Sequence, residues 1–390
     1  MSFPKSSMYD IDVVVFGGGV AGLWLLDELR RAGIQAILLE TRALGSGQTI
    51  ASQGILHGGV KHLLVGRSGN FVDALKEAPR VWRDCLDGRR EPDLHAVRRR
   101  ADHCVMWTTR SLTSFFGAFG ARVGLRAAVR RIAEEEWPLP FAGSSGNAFR
   151  IEEQVIDPAS LLEAFAERNR SHLIHAGPVR FICSAAGQVS GVIVNHPNGS
   201  MTIEIRPRAV VLAAGEGNVA LRDACGLPSA LIRRLPLPIL TVKGNLPDLN
   251  GLCLEGMHAK VIITTQRVSD TLAVWQVASE YVPPESSDVE RLLFDELRGA
   301  LPRFPLPDVS VGSYVVNRAE AVIEDGSRSS DVSVTKEGNV ITALPTKFVL
   351  APRLAKRVIQ LLPPASAGTA LPPAIASWPR PPVATYPWNS

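Results

Sequence analysis

Gly17-x-Gly19-x-x-Gly22 is the first set of residues whose types and spacing could do chemistry. In such a turn the first glycine allows a sharp change of direction, and the second lets backbone come close to a pyrophosphate. The third lets a helix pack tightly on a strand, so that the helix N-terminus faces the anion with unpaired N–H groups. Glu40 stands twenty-one residues after Gly19, where it can accept hydrogen bonds from an adenosine ribose diol. The alternative is a glycine-rich turn that holds nothing. The neighbouring residues decide for a bound dinucleotide.

Those neighbours must form a strand, a helix and a second strand. Asp12-Val13-Val14-Val15-Phe16 is a short apolar run of the kind buried on both faces of a parallel sheet. After the glycines, Leu25, Leu26 and Leu29 face one way and Asp27, Glu28, Arg30 and Arg31 the other, and Gly33 stops the helix. Ile34 to Leu39 is a second buried strand that ends at Glu40. A plain NAD dehydrogenase would continue with alternating strands and helices. Here Thr41 to Gly59 is small, polar and glycine-rich, which suits a long loop wrapping a pyrophosphate and reaching an isoalloxazine ring. The expected cofactor is FAD.

Further along, Phe71–Cys85 and Ser111–Ala121 read as helices. Asp157-Pro158 reads as the N-cap and first residue of another. Residues 180–206 alternate like a meander with its turn at Asn198-Gly199, and Arg208 to Gly215 (RAVVLAAG) is a buried strand ending in small residues. Lys260–Gln266 and Thr271–Tyr281 read as strands around Ser269-Asp270. Val340–Leu344 is one more strand, and Ala351–Leu362 a helix. The tail from Pro363 has eight prolines in 28 residues, so an extended path is expected. Its Trp378, Tyr386 and Trp388 suit docking on the body better than exposure.

Composition sets limits. The 390 residues are 46% hydrophobic and 21% charged, close to the globular average, which excludes a disordered or collagen-like chain. A net charge of +4, scattered along the chain, gives no field for nucleic acid. The run Arg98–Arg100 reads as a solvated start of a strand, and Arg130-Arg131 and Glu134–Glu136 as solvated helix faces. Five cysteines without metal-ligand or redox spacing indicate neither zinc nor a disulfide scaffold, and suit a reducing cytoplasm. No apolar stretch is long enough to span a bilayer. The N-terminus reads as a first strand rather than a signal peptide, because Asp10 and Asp12 interrupt its apolar run.

Taken as a set, the glycine loop with Glu40, SQGILHGGVKH, IDPASLLEAF, RAVVLAAG and TALPTKFVLAPRLAKRV resemble the D-amino-acid oxidase/glycerol-3-phosphate dehydrogenase superfamily of FAD enzymes. The likeness runs from residue 10 to about 360. The element around His57 resembles flavin-linked glycerol-3-phosphate and L-2-hydroxyglutarate dehydrogenases more than amine oxidases. The resemblance implies that Gly17, Gly19 and Gly22 lie at the pyrophosphate, Glu40 at the ribose and Arg42 near the adenine. It further implies that Ser46, Gly47, Gln48 and Thr49 continue along the pyrophosphate, with Gln53, Gly54 and His57 beside the flavin. Gly215 closes a turn against the cofactor, and Pro345 to Leu350, with Lys347 and Phe348, passes the ring's pyrimidine edge. The chain departs from the family at Leu26, where Ala or Gly is usual, and at Thr346-Lys347-Phe348, where glycines are usual.

Three residues are candidates for the reaction itself. His57 is a general base, a flavin contact or a covalent attachment point, or else a histidine held by backbone beside Gly58-Gly59. Lys347 suits the flavin N1/C2=O region, where a cation stabilises charge gathered on reduction, or is a surface lysine. Arg318 pairs with a substrate carboxylate or phosphate, or with Glu320. Of Trp275 and Gln276, adjacent on a strand, at most one faces the pocket, and the Trp suits the core. No Ser/His/Asp set and no metal site is expected.

The expected fold is α/β. A discontinuous Rossmann-like FAD domain (1–90, 148–225 and 310–362) carries an inserted antiparallel-sheet substrate domain (91–147 and 226–309), with a proline-rich tail (363–390). The expected function is FAD-dependent oxidation of a small 2-hydroxy acid or polyol phosphate by hydride transfer to flavin N5, with an unidentified electron acceptor. An amino acid or secondary amine is the alternative substrate, and a non-catalytic flavoprotein the alternative class.

Overall fold

In the computed structural model the first strand, β1 (Met8–Phe16), turns at the glycines into helix α1 (Val20–Arg31) and returns as β2 (Ala36–Glu40). The description covers residues 8–58, 70–109, 129–141, 146–184, 188–255, 258–283, 285–286, 288–306, 308–322, 331–366 and 371–389. β1 lies at the centre of a sheet whose parallel strands run Val340–Leu344, Thr202–Leu212, β1, β2 and Leu173–His175. Strand order changes direction beside β1: β2 is on one side and Thr202–Leu212 on the other. Such a reversal opens a crevice at the carboxyl ends of the strands, where open α/β sheets take their ligands. The apolar runs of β1 and β2 are buried on both faces, as a sheet covered on both sides requires. The meander is present as Val179–Cys183, Val189–Asn195 and the start of Thr202–Leu212, with Gly199 in its turn at φ +73°.

A second sheet has the order Ser310–Ala321, Ile232–Gly244, Leu272–Ala278, His258–Ser269, Gly251–Glu255, Cys104–Thr108, Ala148–Ile151 and Val129–Arg131. It is antiparallel except where Gly251–Glu255 meets Cys104–Thr108. Strands Ala148–Ile151 and Ser310–Ala321 belong to this sheet, on the far side of the limits expected at 148 and 310. One face packs under helix Val289–Ala300 in a core with Trp275 at its centre. The other turns toward the loop after β2: Leu237, Ile239, Val316 and Ala278 cluster with Ala51, and Leu252 and Leu254 with Ile55.

The helix expected at 71–85 runs Asn70–Leu86, and the one after Asp157 runs Pro158–Arg168 with Asp157 accepting from the Ser160 N–H at 2.8 Å. The expected helix at 111–121 lies outside the described residues. Two expectations need correction. Arg130 and Arg131 are on a strand rather than a helix, though exposed as anticipated. The Arg98–Arg100 run is not solvated throughout: Arg98 is exposed, while the Arg100 side chain is 6% exposed, because it points at Gln276, Asp157 and Tyr386.

The tail is extended only in part, with short helical turns at Pro373–Ala376 and Pro387–Asn389. It folds back on the body. Trp378 is buried and donates to the His175 carbonyl, while Pro382–Ala384 pairs with Leu44 through main-chain bonds of 2.7 and 3.0 Å. No helix among the described residues is long and apolar enough to cross a membrane.

Candidate functional site

The glycine turn is built so that side chains would obstruct it. Gly17 has φ +104°, and a Cβ there would stand 2.5 Å from the Ala214 Cα, at the end of the neighbouring strand. A Cβ on Gly22 would fall 2.0 Å from the Gly17 carbonyl oxygen, so only glycine lets α1 start this close to β1. Gly19 is the N-cap of α1 and has no capping side chain of its own. Instead the Thr49 hydroxyl accepts from the Val20 N–H at 3.0 Å, bringing the following loop over the helix end. Glu40 accepts from the Gly18 N–H at 2.8 Å and from the Arg42 N–H at 2.9 Å, and a carboxylate retains lone pairs beyond these two. Bare glycine backbone, a helix start and a carboxylate at the strand ends fit a dinucleotide with its pyrophosphate over the turn.

The loop of residues 41–58 closes around the same crevice. Gly45 donates to the Gly18 carbonyl, and Gly47 opens onto free space. Half-buried Ser46 lies between them, while Arg42 is exposed at the rim. Gly215, at φ +59°, would place a Cβ 3.2 Å from the Gln48 amide nitrogen, so the end of RAVVLAAG and the loop meet there. Gln53 donates to the carbonyls of Ile262 (3.0 Å) and Gln276 (2.9 Å), pinning the loop to the second sheet. Gly54, at φ +72°, lies against the Ile156 carbonyl, a contact no side chain would permit.

His57 is held by neither main chain nor solvent alone. Its Nδ1 lies 3.1 Å from Glu153 Oε2, while Glu153 Oε1 accepts from the Gly58 N–H at 2.8 Å. The Glu153 side chain is 4% exposed and that of His57 42%, so a buried carboxylate orients an accessible imidazole. Sequence reading missed Glu153. Nothing local marks it among Glu152-Glu153-Gln154; the bridge Ile55↔Val155, with the Leu56 N–H on the Gln154 carbonyl and the Ile156 N–H on the Gly54 carbonyl, brings it to the loop.

Lys347 is half-buried ahead of the turn Phe348–Leu350, and Phe348 stacks on Trp82 with ring centroids 5.5 Å apart. Thr346 has φ +55°, the left-handed conformation glycine favours. It therefore takes a conformation that would suit a glycine without being one. Arg318 is partly buried, 4.0 Å from Glu320. Side chains alternate along its strand, so Arg318 shares a face with Tyr314, whose hydroxyl donates to the Ala51 carbonyl at 3.0 Å. Of the adjacent pair, Trp275 is in the far core and Gln276 faces the loop.

Gln276 belongs to a buried polar group, with Arg100, Asp157 and Tyr386, that sequence reading did not find. Arg100 reaches Gln276 Oε1 at 3.3 Å and Tyr386 Oη at 2.8 Å, with Asp157 3.5 Å away. Burial alone would raise the Asp157 pKa, but the Ser160 N–H, Arg100, Tyr386 and Arg98 hold it below the ordinary aspartate value. Burial pushes the Tyr314 hydroxyl upward and that of Tyr386 to about 12, so both stay protonated donors at neutral pH. No cluster of three or more His, Cys, Asp or Glu among the described residues is arranged for a metal ion.

The chain is similar to known proteins in sequence and fold. The model of the DAO family, described as FAD dependent oxidoreductase, matches residues 12–319. A probable FAD-dependent oxidoreductase of Pseudomonas aeruginosa, PA4991, is 32% identical over 387 residues, 97% of each chain. Its crystal structure superposes with a TM-score of 0.82 over 99% of both chains. A glycine oxidase from Geobacillus kaustophilus shares the fold, with a TM-score of 0.64 at 15% identity over 94% of this chain and 98% of that one. A glycerol-3-phosphate dehydrogenase of P. aeruginosa is 25% identical over 68% of this chain and 50% of its own.

Proposed function

Because the chain belongs to the DAO family of FAD-dependent oxidoreductases, we propose that it oxidises a small anionic substrate, a 2-hydroxy acid or polyol phosphate, at the carbon bearing the hydroxyl. FAD, when bound, supplies the acceptor for the hydride that leaves this carbon. The glycine turn and the first N–H groups of α1 would hold its pyrophosphate, with Ser46, Gly47, Gln48 and Thr49 continuing along it. Glu40 would hold the ribose, and Gln53, Gly54 and Lys347 would lie beside the ring.

The observation that carries the reading is the His57–Glu153 pair. An ionised carboxylate only accepts, so Nδ1 carries the hydrogen and Nε2 is left as the acceptor. That nitrogen takes the hydroxyl proton as the C–H bond breaks. Arg318 would grip the substrate's carboxylate or phosphate, on the face that Tyr314 joins to the loop. The fold shared with glycine oxidase supports a second reading, oxidation of an amino acid or secondary amine. Anaerobic mixing of yellow holoenzyme with each class tests both without reference to the electron acceptor. Bleaching by a hydroxy acid or polyol phosphate is expected. Bleaching by amines alone moves the assignment to the second reading, and bleaching by neither leaves a non-catalytic flavoprotein.

A further inference from the structure

We propose that Arg100 is a positioning residue that sets the direction of a hydrogen-bond relay ending on the cofactor loop, and that the C-terminal tail completes its site. A guanidinium has five N–H donors and no acceptor, so the Gln276 amide atom facing Arg100 at 3.3 Å must be the oxygen. This fixes an orientation that the amide's near-symmetrical shape leaves open. Gln276 Nε2 then points the other way, toward the Ser52 carbonyl at 3.4 Å and the Tyr314 hydroxyl at 2.8 Å. Because that hydroxyl receives a hydrogen from Gln276, its own proton goes to the Ala51 carbonyl at 3.0 Å. Two consecutive loop carbonyls, between Thr49 and Gln53, are thus held in one arrangement by a group on a distant strand.

Gln276 is fully buried and the Arg100 side chain nearly so, which keeps water from substituting for either. Burying a guanidinium is costly unless it is paired. Asp157 supplies the charge, and Tyr386 of the tail supplies an acceptor at 2.8 Å, its ring 5.5 Å below the guanidinium carbon. Trp388 stacks on Tyr386 at 4.5 Å and reaches Tyr314 at 6.0 Å, so the tail closes over both ends of the relay. Arg100 Nε has no partner among the described residues, so the guanidinium is held through its two terminal nitrogens alone.

The proposal rests on residues 48–54 being the cofactor loop. The test reads FAD affinity from the fluorescence of FAD released on dilution of purified holoenzyme, alongside the visible spectrum. Arg100→Gln and Tyr314→Phe are each expected to weaken FAD binding roughly tenfold, about the effect of one lost buried hydrogen bond. The double variant is expected to be no weaker than the poorer single one, because both changes interrupt one relay. If Arg100→Gln leaves Asp157 unpaired and does not fold, Arg100→Lys, which keeps the charge, replaces it in the same comparison. Single variants within twofold of the parent, or effects that multiply, overturn the relay. Gly19→Val separates the premise from the proposal. Loss of FAD in Gly19→Val with none in the relay variants rejects the relay alone, and full retention in Gly19→Val rejects the cofactor-site reading itself.

Discussion

His57 Nδ1 lies 3.1 Å from one oxygen of Glu153, and the other oxygen of that carboxylate holds the next residue's amide, Gly58, at 2.8 Å. The imidazole and its main chain are therefore fixed by the same buried group. Aligned in this way, the imidazole lacks the freedom to rotate that an exposed histidine on a loop would have, and Nε2 is the nitrogen left for the base role proposed above.

His57→Asn should retain FAD yet slow flavin reduction by a hydroxy substrate by roughly a hundredfold or more. The acid limb of the pH–rate profile should go with it. Stopped-flow reduction of FAD-replete protein is the measurement, and an unchanged rate excludes the base role. Glu153→Gln should cost less. A carboxamide offers one acceptor oxygen where two hydrogen bonds are needed, so the imidazole or the Gly58 amide is released. The rate should fall between those of the parent and His57→Asn, and a fall below His57→Asn would show that Glu153 does more than orient.

Two glycines should separate binding from stability. Gly19→Val puts a branched side chain where Thr49 Oγ1 already stands 3.1 Å from a Cβ, over the site expected for the pyrophosphate. The purified protein should be colourless or readily lose its flavin. Gly22→Ala puts a methyl group 2.0 Å from the Gly17 carbonyl, which forces α1 off β1. Its cost should be about 1–3 kcal/mol of stability, as for other overpacked sites. Urea unfolding of both variants decides: a full yellow colour in Gly19→Val, or an unchanged midpoint in Gly22→Ala, contradicts the geometry.

How much of this was readable in the sequence follows from the range of the interactions. The unit of β1, α1 and β2 is written in local periodicity, glycine spacing and one acid at a strand end, and each has a short-range physical cause. The Asp157 cap is equally local. Glu153 and Arg100 are not. Glu153 acts across 96 residues of chain on His57, and Arg100 across 176 on Gln276 and 286 on Tyr386. Within the sequence, Arg100 is one of three consecutive arginines, and the pairing of Arg99–Ala101 with Val155–Ile156, far along the chain, sets which of them is buried. Phe348 shows the same limit: its stacking on Trp82 depends on a helix far away in the chain, since the Trp82 indole also donates to the Val349 carbonyl across 267 residues.

Glu40 is both a candidate ribose ligand and a brace for the turn, since its two oxygens accept from Gly18 and Arg42. Glu40→Ala should therefore weaken FAD through lost ribose bonds and a slackened turn, while leaving the spectrum of the bound flavin unchanged. Glu40→Gln keeps one acceptor and should fall between them. Unchanged FAD affinity in Glu40→Ala, measured by dilution fluorescence, rules out the ribose role.

His172 makes stability depend on pH in a defined direction. Burial, with the nearby charges of Arg30 and Arg380, pushes its pKa from the ordinary 6.5 down to about 4. Between these values the unfolded chain binds a proton that the folded protein refuses. Stability must then rise with pH across this window, being full above about 6.5 and falling as the solution is acidified toward 4. His103, lowered by burial and by Arg150, acts in the same direction, whereas the depressed carboxyls of Asp12, Asp157 and Asp331 lose their contribution only below the ordinary aspartate value of 3.8. A comparison of parent with His172→Gln isolates the one group, because the others are common to both. Urea midpoints taken from pH 7.5 down to 4.5 should fall more steeply for the parent than for the variant. Arg380 lies on the tail and donates to the Leu173 carbonyl beside His172, so protonation sets two cations against each other where the tail docks. Proteolysis of the tail should accordingly speed up on acidification in the parent and less so in His172→Gln. Parallel urea curves for the two proteins would show that His172 titrates as it does in water.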